Sequence, residues 1–141
     1  MASLTVEIVT PEAPLWTGVA TGLMARSSEG EFTILPQHTP TVGDITPGLV
    51  RVEAGTEEVA FCVHGGFFQV GPDAEAGVTR ATVLAGVAER VSDIDVARAQ
   101  AAKESAQAQL SQGELDETAR SQVEAALARA ELRLRLGGAS R

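Results

Sequence analysis

The sequence has 141 residues, 44% of them hydrophobic, a net charge of −8 and a single cysteine. That length fits one domain, or one domain with an appendage, and is enough to bury a core. The acidic balance argues against a nucleic-acid partner, which needs clustered Lys and Arg; a lone Cys62 excludes an internal disulfide, and no run of about 18 or more apolar residues is present to span a bilayer.

The N-terminus has no basic segment followed by an apolar core, so the expectation is a chain that stays in the cytosol. The charge is unevenly divided. Residues 1–90 hold 11 acids against 4 bases, and residues 91–141 hold 8 against 7.

Leu4, Val6 and Ile8 alternate with Thr5, Glu7 and Val9, the pattern of a half-buried strand. Thr10-Pro11 and Ala13-Pro14 break it, and Trp16 follows as a core or rim anchor. A second strand is predicted over 19–25. Ser27 to Gly30 reads as a turn and 31–35 as a short strand. Pro36-Gln37-His38-Thr39-Pro40 reads as a rigid exposed loop, because each proline fixes φ and extends the residue before it. Thr46-Pro47-Gly48 has the form of a type II turn, with Gly48 taking positive φ. Residues 49–53 and 59–63 pair across Ala54-Gly55-Thr56, and His64-Gly65-Gly66 turns into 67–70. A last strand is predicted over 78–85. Short strands at close spacing, separated by Gly and Pro, imply an antiparallel β-sandwich or small barrel.

Past residue 91 proline disappears and alanine dominates. Ser92, three residues ahead of Asp95, has the form of a capping box. The helix it opens is predicted from Ile94 to about Leu110, with six alanines, and ends at Ser111-Gln112-Gly113. A second helix is predicted from Glu114, Asp116 and Glu117 to Arg129, Arg133 and Arg135, closing before Gly137-Gly138. Acids at its start and bases at its end complement the helix dipole. Its apolar stripe is Leu115, Ala119, Val123, Leu127, Ala130 and Leu134. The short connection makes the two helices an antiparallel hairpin. Alanine faces bury little area, at about 25 cal/mol per Å², so the hairpin is expected to be a weakly held arm that can detach and stay helical. The division is therefore a β-sandwich over 1–90 and an α-helical hairpin over 91–141.

No catalytic constellation is apparent. Cys62, inside the apolar run 59–63, reads as a buried inert thiol. His38 and His64 sit in different turns without i,i+4 or HxH spacing, so no metal site is expected. G-x-S-x-G, P-loop and CxxC motifs are missing. Two features remain. The acidic, proline-braced region 28–48 suits presentation of a rigid surface to a partner, or is ordinary turn chemistry. Asp95 and Arg98, with Glu89 just ahead, suit a nucleotide, with arginine on phosphate and the acids on base or ribose. The alternative is a helix cap with an i,i+3 ion pair.

Several segments together carry a family resemblance. Ser28-Glu29-Gly30-Glu31-Phe32, Ile34-Leu35-Pro36, His38 and Pro40 resemble the EGEFGILPGHAP stretch of the epsilon subunit of F-type ATP synthase. Residues 46–52 resemble its KPGxVRI strand, 65–70 its GGFxEV segment, and Thr82 to Asp95 the approach to its C-terminal helices. The likeness runs in order along nearly the whole chain. It departs at Thr33 and Gln37, where glycine is usual, at Gly86, where Asp is usual, and at Gln69, where Glu is common.

The resemblance implies a non-catalytic subunit of the central rotor stalk, at the cytoplasmic face of the bacterial membrane and attached only through its complex. The sandwich would bind gamma and the c-ring, with Glu29, Glu31, Pro36 and His38 at the c-ring-facing end. The helical arm would reach the alpha and beta subunits and inhibit ATP hydrolysis, with Arg129, Arg133 and Arg135 against acidic residues of beta. No cofactor is required. Some members bind regulatory ATP through (I/L)DxxRA; Ile94-Asp95-Val96-Ala97-Arg98-Ala99 matches that motif, which assigns Glu89, Asp95 and Arg98 to the nucleotide. Those binders carry a further Arg seven positions after the first, where this chain has Ser105. Two rival readings are a chain that is chiefly an ATP sensor and an independent β-barrel of the metal-dependent cupin kind. The barrel reading lacks the clustered His and Glu ligands it needs.

Overall fold

The computed structural model describes residues 2–75 and 77–139. The chain divides into two compact units, Met1–Arg90 and Val91–Arg141.

The first unit is a sandwich of two five-stranded sheets. Its strands are β1 (Ser3–Val9), β2 (Pro14–Ala20), β3 (Gly22–Ser27), β4 (Gly30–Ile34), β5 (Thr41–Ile45), β6 (Gly48–Ala54), β7 (Glu57–Val63), β8 (Gly66–Pro72), β9 (Val78–Ala85) and β10 (Ala88–Arg90). One sheet has the order β2-β1-β9-β8-β5 and the other β10-β7-β6-β3-β4. All pairs are antiparallel except β1 with β9. The period-2 alternation of strands sends Leu4, Val6, Ile8, Phe68, Ala81 and Val83 inward from one sheet. Leu23, Ile34, Val50, Val52, Phe61 and Val63 meet them from the other. Phe32 and Phe68 stack with ring centroids 4.5 Å apart, which ties edge strand β4 to the opposite sheet.

The structure corrects four details of the sequence reading in this unit. The strand predicted over 19–25 is two strands in different sheets. The chain crosses between sheets at Thr21, whose N–H donates to the Glu53 carbonyl at 2.7 Å, and Gly22 and Leu23 are buried in succession, which breaks the alternation. Within the region 28–48 the short strand expected over 31–35 is present as β4, and a further strand, β5, follows the proline-braced loop. Strand β5 escaped notice because its Gly43 and Asp44 are poor strand formers, and β10 is too short to show a period. Thr46-Pro47-Gly48 is not a type II turn, since Gly48 is outside the positive-φ set. It opens β6, and the Thr46 N–H donates to the Arg26 carbonyl at 2.9 Å.

Gln37, where the resembled family has glycine, keeps the glycine-like left-handed conformation with φ 70°. Such a residue is strained unless its surroundings hold it. Here its N–H donates to the Oγ1 of buried Thr79 at 2.8 Å.

The second unit begins with a 3-10 turn at Val91–Asp93 and continues as α1 (Val96–Gln112) and α2 (Glu117–Ala139). The N-cap of α1 is Asp95, not Ser92. Asp95 has extended backbone angles, and its Oδ1 accepts from the Arg98 N–H at 3.0 Å, while Ser92 is taken up by the 3-10 turn. Asp116 caps α2 in the same way, accepting from the Ala119 N–H at 2.7 Å, so that helix starts three residues later than Glu114. Gly113, with φ 70°, ends α1.

Helix α2 also runs through Gly137 and Gly138 rather than stopping before them. A Cβ on Gly137 would lie 2.8 Å from Ile94 Cγ2. Glycine is here for close approach, not for termination. Ala99 and Ala106 of α1 and Ala130 and Leu132 of α2 are buried. Val123, Leu127 and Leu134 of the expected stripe are half-buried.

Candidate functional site

Strands β8 and β9 place Phe67 directly opposite Leu84, and the parallel register places Val9 on the other side of Leu84. Their neighbours Phe68, Val83 and Ile8 point into the core, so Phe67 and Leu84 point out. They are 62% and 47% exposed. Beside them an open groove of about 310 Å³ is lined by Val9, Thr10, Pro11, Leu84, Ala85 and Gly86. Large apolar side chains lined up across adjacent strands at a sheet's outer face suit a protein partner.

The acidic β3–β4 turn stands at the same end. Asp44, opposite Phe67 across β5 and β8, accepts from the Ser28 N–H and hydroxyl, both at 3.0 Å. This fixes exposed Glu29 beside the apolar row, with Glu31 two residues on. Pro36 and His38 are at the far end of β4, where the His38 N–H donates to the Leu35 carbonyl at 3.1 Å. Glu31 lies within β4 and Pro36 two residues past its end, five residue steps away, so extended chain separates the two pairs by roughly 16 Å. They do not form one patch, and a partner touching all four would have to lie along the β4 edge.

At the distal end Asp73 receives the Ala74 N–H at 2.7 Å and Arg80 Nη2 at 3.2 Å. The backbone donor first, then Arg80, hold its carboxyl below the ordinary range. It stays ionised and pins the loop before β9.

The corner between β7 and β8 holds the cluster that sequence reasoning missed. Cys62 and His64 are two residues apart, so they share a face, and the β10–β7 register sets Glu89 opposite Cys62. Cys62 Sγ lies 3.5 Å from His64 Nε2, and Nε2 lies 3.3 Å from Glu89 Oε1. The available signal was Cys-x-His at a strand end, together with an acid on a strand too short to recognise.

The remaining site residues lie in the second unit. Asp95 and Arg98 share the first turn of α1, but the Asp95 carboxylate serves the backbone N–H of Arg98. In the sandwich Arg51 pairs with Glu58, and Arg80 with Glu7 and Asp73. Glu89 belongs to the sandwich, where its carboxylate faces His64. On α2, Arg129 and Arg133 are one turn apart and half-buried, and Arg135 is exposed. Two residues turn a helix by about 200°, so Arg135 points away from the other two.

The comparisons agree along the whole chain. Residues 3–91 match the family described as ATP synthase, Delta/Epsilon chain, beta-sandwich domain, and residues 92–138 match its long alpha-helix domain. The ATP synthase epsilon chain of Halalkalibacterium halodurans is 38% identical over 98% of this chain and 99% of its own length. That of Alkalihalophilus pseudofirmus is 40% identical over 82% of this chain and 83% of its own. Among solved structures, a chain in the Euglena gracilis mitochondrial ATP synthase, OSCP/F1/c-ring assembly, superposes with a TM-score of 0.74 at 26% identity. That match covers 100% of this chain and 83% of the other. With both units matched in order and relatives covered almost end to end, the chain belongs to the epsilon chain family of F-type ATP synthase.

Proposed function

We propose that this chain is a non-catalytic subunit of the central stalk, bound to gamma and the c-ring through its sandwich and coupling proton-driven rotation to ATP synthesis. The observation that carries the docking is the outward pair Phe67 and Leu84, beside an apolar groove and the acidic turn at Glu29 and Glu31. Pro36 and His38 would extend the contact along the β4 edge. Among the described residues no helix is long and apolar enough to cross a membrane. Family membership, not that absence, supports attachment through the complex at its cytoplasmic face.

The helical hairpin is the regulatory part of the proposal. Three of the four buried apolar side chains described on its helices are alanines, Ala99, Ala106 and Ala130, so unfastening it exposes little apolar area. It would extend toward alpha and beta and restrain ATP hydrolysis, with Arg129 and Arg133 meeting beta acids from one side of α2. A regulatory ATP at Glu89, Asp95 and Arg98 rests on the (I/L)DxxRA match. Arg98→Ala is expected to weaken ATP binding at least about 10-fold, since it removes a charge-assisted phosphate contact. Equal titration curves for wild type and variant would remove nucleotide from the scheme.

The direct test is titration of the full chain into a reconstituted gamma–c-ring assembly. Saturable binding at one chain per gamma is expected. An absence of binding, with gamma and chain both folded, would contradict the proposal.

A further inference from the structure

We infer that Cys62, His64 and Glu89 form a binding site for a zinc-class divalent cation, held between the last two paired strands of one sheet. The inference goes beyond the stalk role and does not depend on it.

Three different donors converge here. A strand's period of two puts Cys62 and His64 on one face, and the β10–β7 pairing brings Glu89 across to them. The ligand atoms Sγ, a His64 ring nitrogen and a carboxylate oxygen all lie within 4.8 Å of one another. Two of the three edges can be compared with a coordination sphere. Zinc–sulfur near 2.3 Å and zinc–nitrogen or –oxygen near 2.0–2.1 Å give tetrahedral S···N and N···O edges of about 3.5 and about 3.3 Å. The observed edges are 3.5 and 3.3 Å. The third edge, sulfur to carboxylate, lies within 4.8 Å and closes to tetrahedral length by a swing of the Glu89 carboxylate, which is 24% exposed.

The chemistry of His64 points the same way. Its side chain is 5% exposed, and Nδ1 is buried with no hydrogen-bond partner among the described residues. The polar anchoring of the ring is therefore at Nε2, which faces both sulfur and carboxylate. One nitrogen can donate a hydrogen to the carboxylate or accept one from the thiol, but not both. A cation satisfies all three lone pairs at one point.

Thiolate, imidazole and carboxylate together select zinc or cobalt over magnesium and calcium, which take oxygen ligands. Coordination releases the Cys62 thiol proton to solvent. Water takes the fourth position, reached from the exposed side of Glu89. Once loaded, the site clamps β10 to β7.

Cobalt(II) added to the reduced full-length chain tests this. Tetrahedral visible bands and a sulfur-to-cobalt charge-transfer band are expected at one equivalent per chain, both abolished by added zinc. Cys62 is the only cysteine, so a sulfur band has one possible origin. Cys62→Ser should abolish that band. Glu89→Gln, which keeps the side chain's size, should keep the band but weaken binding at least about 10-fold. Cobalt bound without a sulfur band, no binding, or unchanged affinity in Glu89→Gln would each overturn the site. If a variant misfolds by circular dichroism, the wild-type band alone decides.

Discussion

Changing Phe67 and Leu84 together to aspartate is expected to weaken binding to the gamma–c-ring assembly at least about 100-fold, or roughly 2.7 kcal/mol. Both side chains point away from the core, so the variant should stay folded, at a cost of about 1–2 kcal/mol for two aspartates set opposite each other beside Asp44. Two contributions combine: apolar area that binding would desolvate is lost, and negative charge is added beside Glu29, Glu31 and Asp44. Phe67→Ala separates them, because it removes area without adding charge. Val19→Asp is the control. Val19 is 70% exposed but sits on β2, three strands away from β8, and its change should leave affinity alone. Titration calorimetry on the same assembly reads all four proteins. Wild-type affinity in the double variant would remove this face from the interface.

Gly66→Ala is expected to destabilise the sandwich by at least about 3 kcal/mol, measured by urea unfolding. Gly66 opens β8 opposite Ala85. A Cβ there would lie 2.1 Å from the Leu84 carbonyl oxygen and 3.1 Å from the Ala85 Cα. Both obstacles are backbone, so no side chain can rotate to make room, and relief requires β8 and β9 to separate. Gly86→Ala is the contrast, since its added Cβ meets nothing within 4 Å. A Gly66→Ala variant as stable as wild type would mean that this strand end relaxes freely. Because Phe67 and Leu84 sit at the same pair of strands, the variant should also lose rotor binding.

The sandwich was legible wherever one face of a strand is buried and the other wet. Ser3–Val9 and Val78–Ala85 announce themselves by alternation, and the β6–β7 hairpin by its turn. What the sequence hid has physical causes. Thr21 is a point where the chain changes sheets, and consecutive burial of Gly22 and Leu23 looks like a continuing strand. At the helix start Ser92 and Asp95 both have capping chemistry, and only the backbone angles decide that Asp95 caps. Gly137-Gly138 reads as a stop, yet Gly137 lies inside α2 because Ile94 leaves no room for a side chain.

Site residues were harder to read than the fold. Glu29, Glu31, Pro36 and His38 are close in sequence, but β4 carries them to opposite ends of one edge. The outward direction of Phe67 follows only from the register of β8. The Cys62, His64 and Glu89 cluster depends on a three-residue strand that no periodicity reveals.

The most direct measurement is ATP hydrolysis by the reconstituted catalytic head and gamma, with either the full chain or a form ending at Arg90, both confirmed as bound. Higher hydrolysis with the shorter form is the expected result, and it would assign restraint to residues 91–141 and direct the next substitutions to Arg129 and Arg133. Equal hydrolysis with both forms bound would contradict a regulatory arm and leave the sandwich as a coupling element alone.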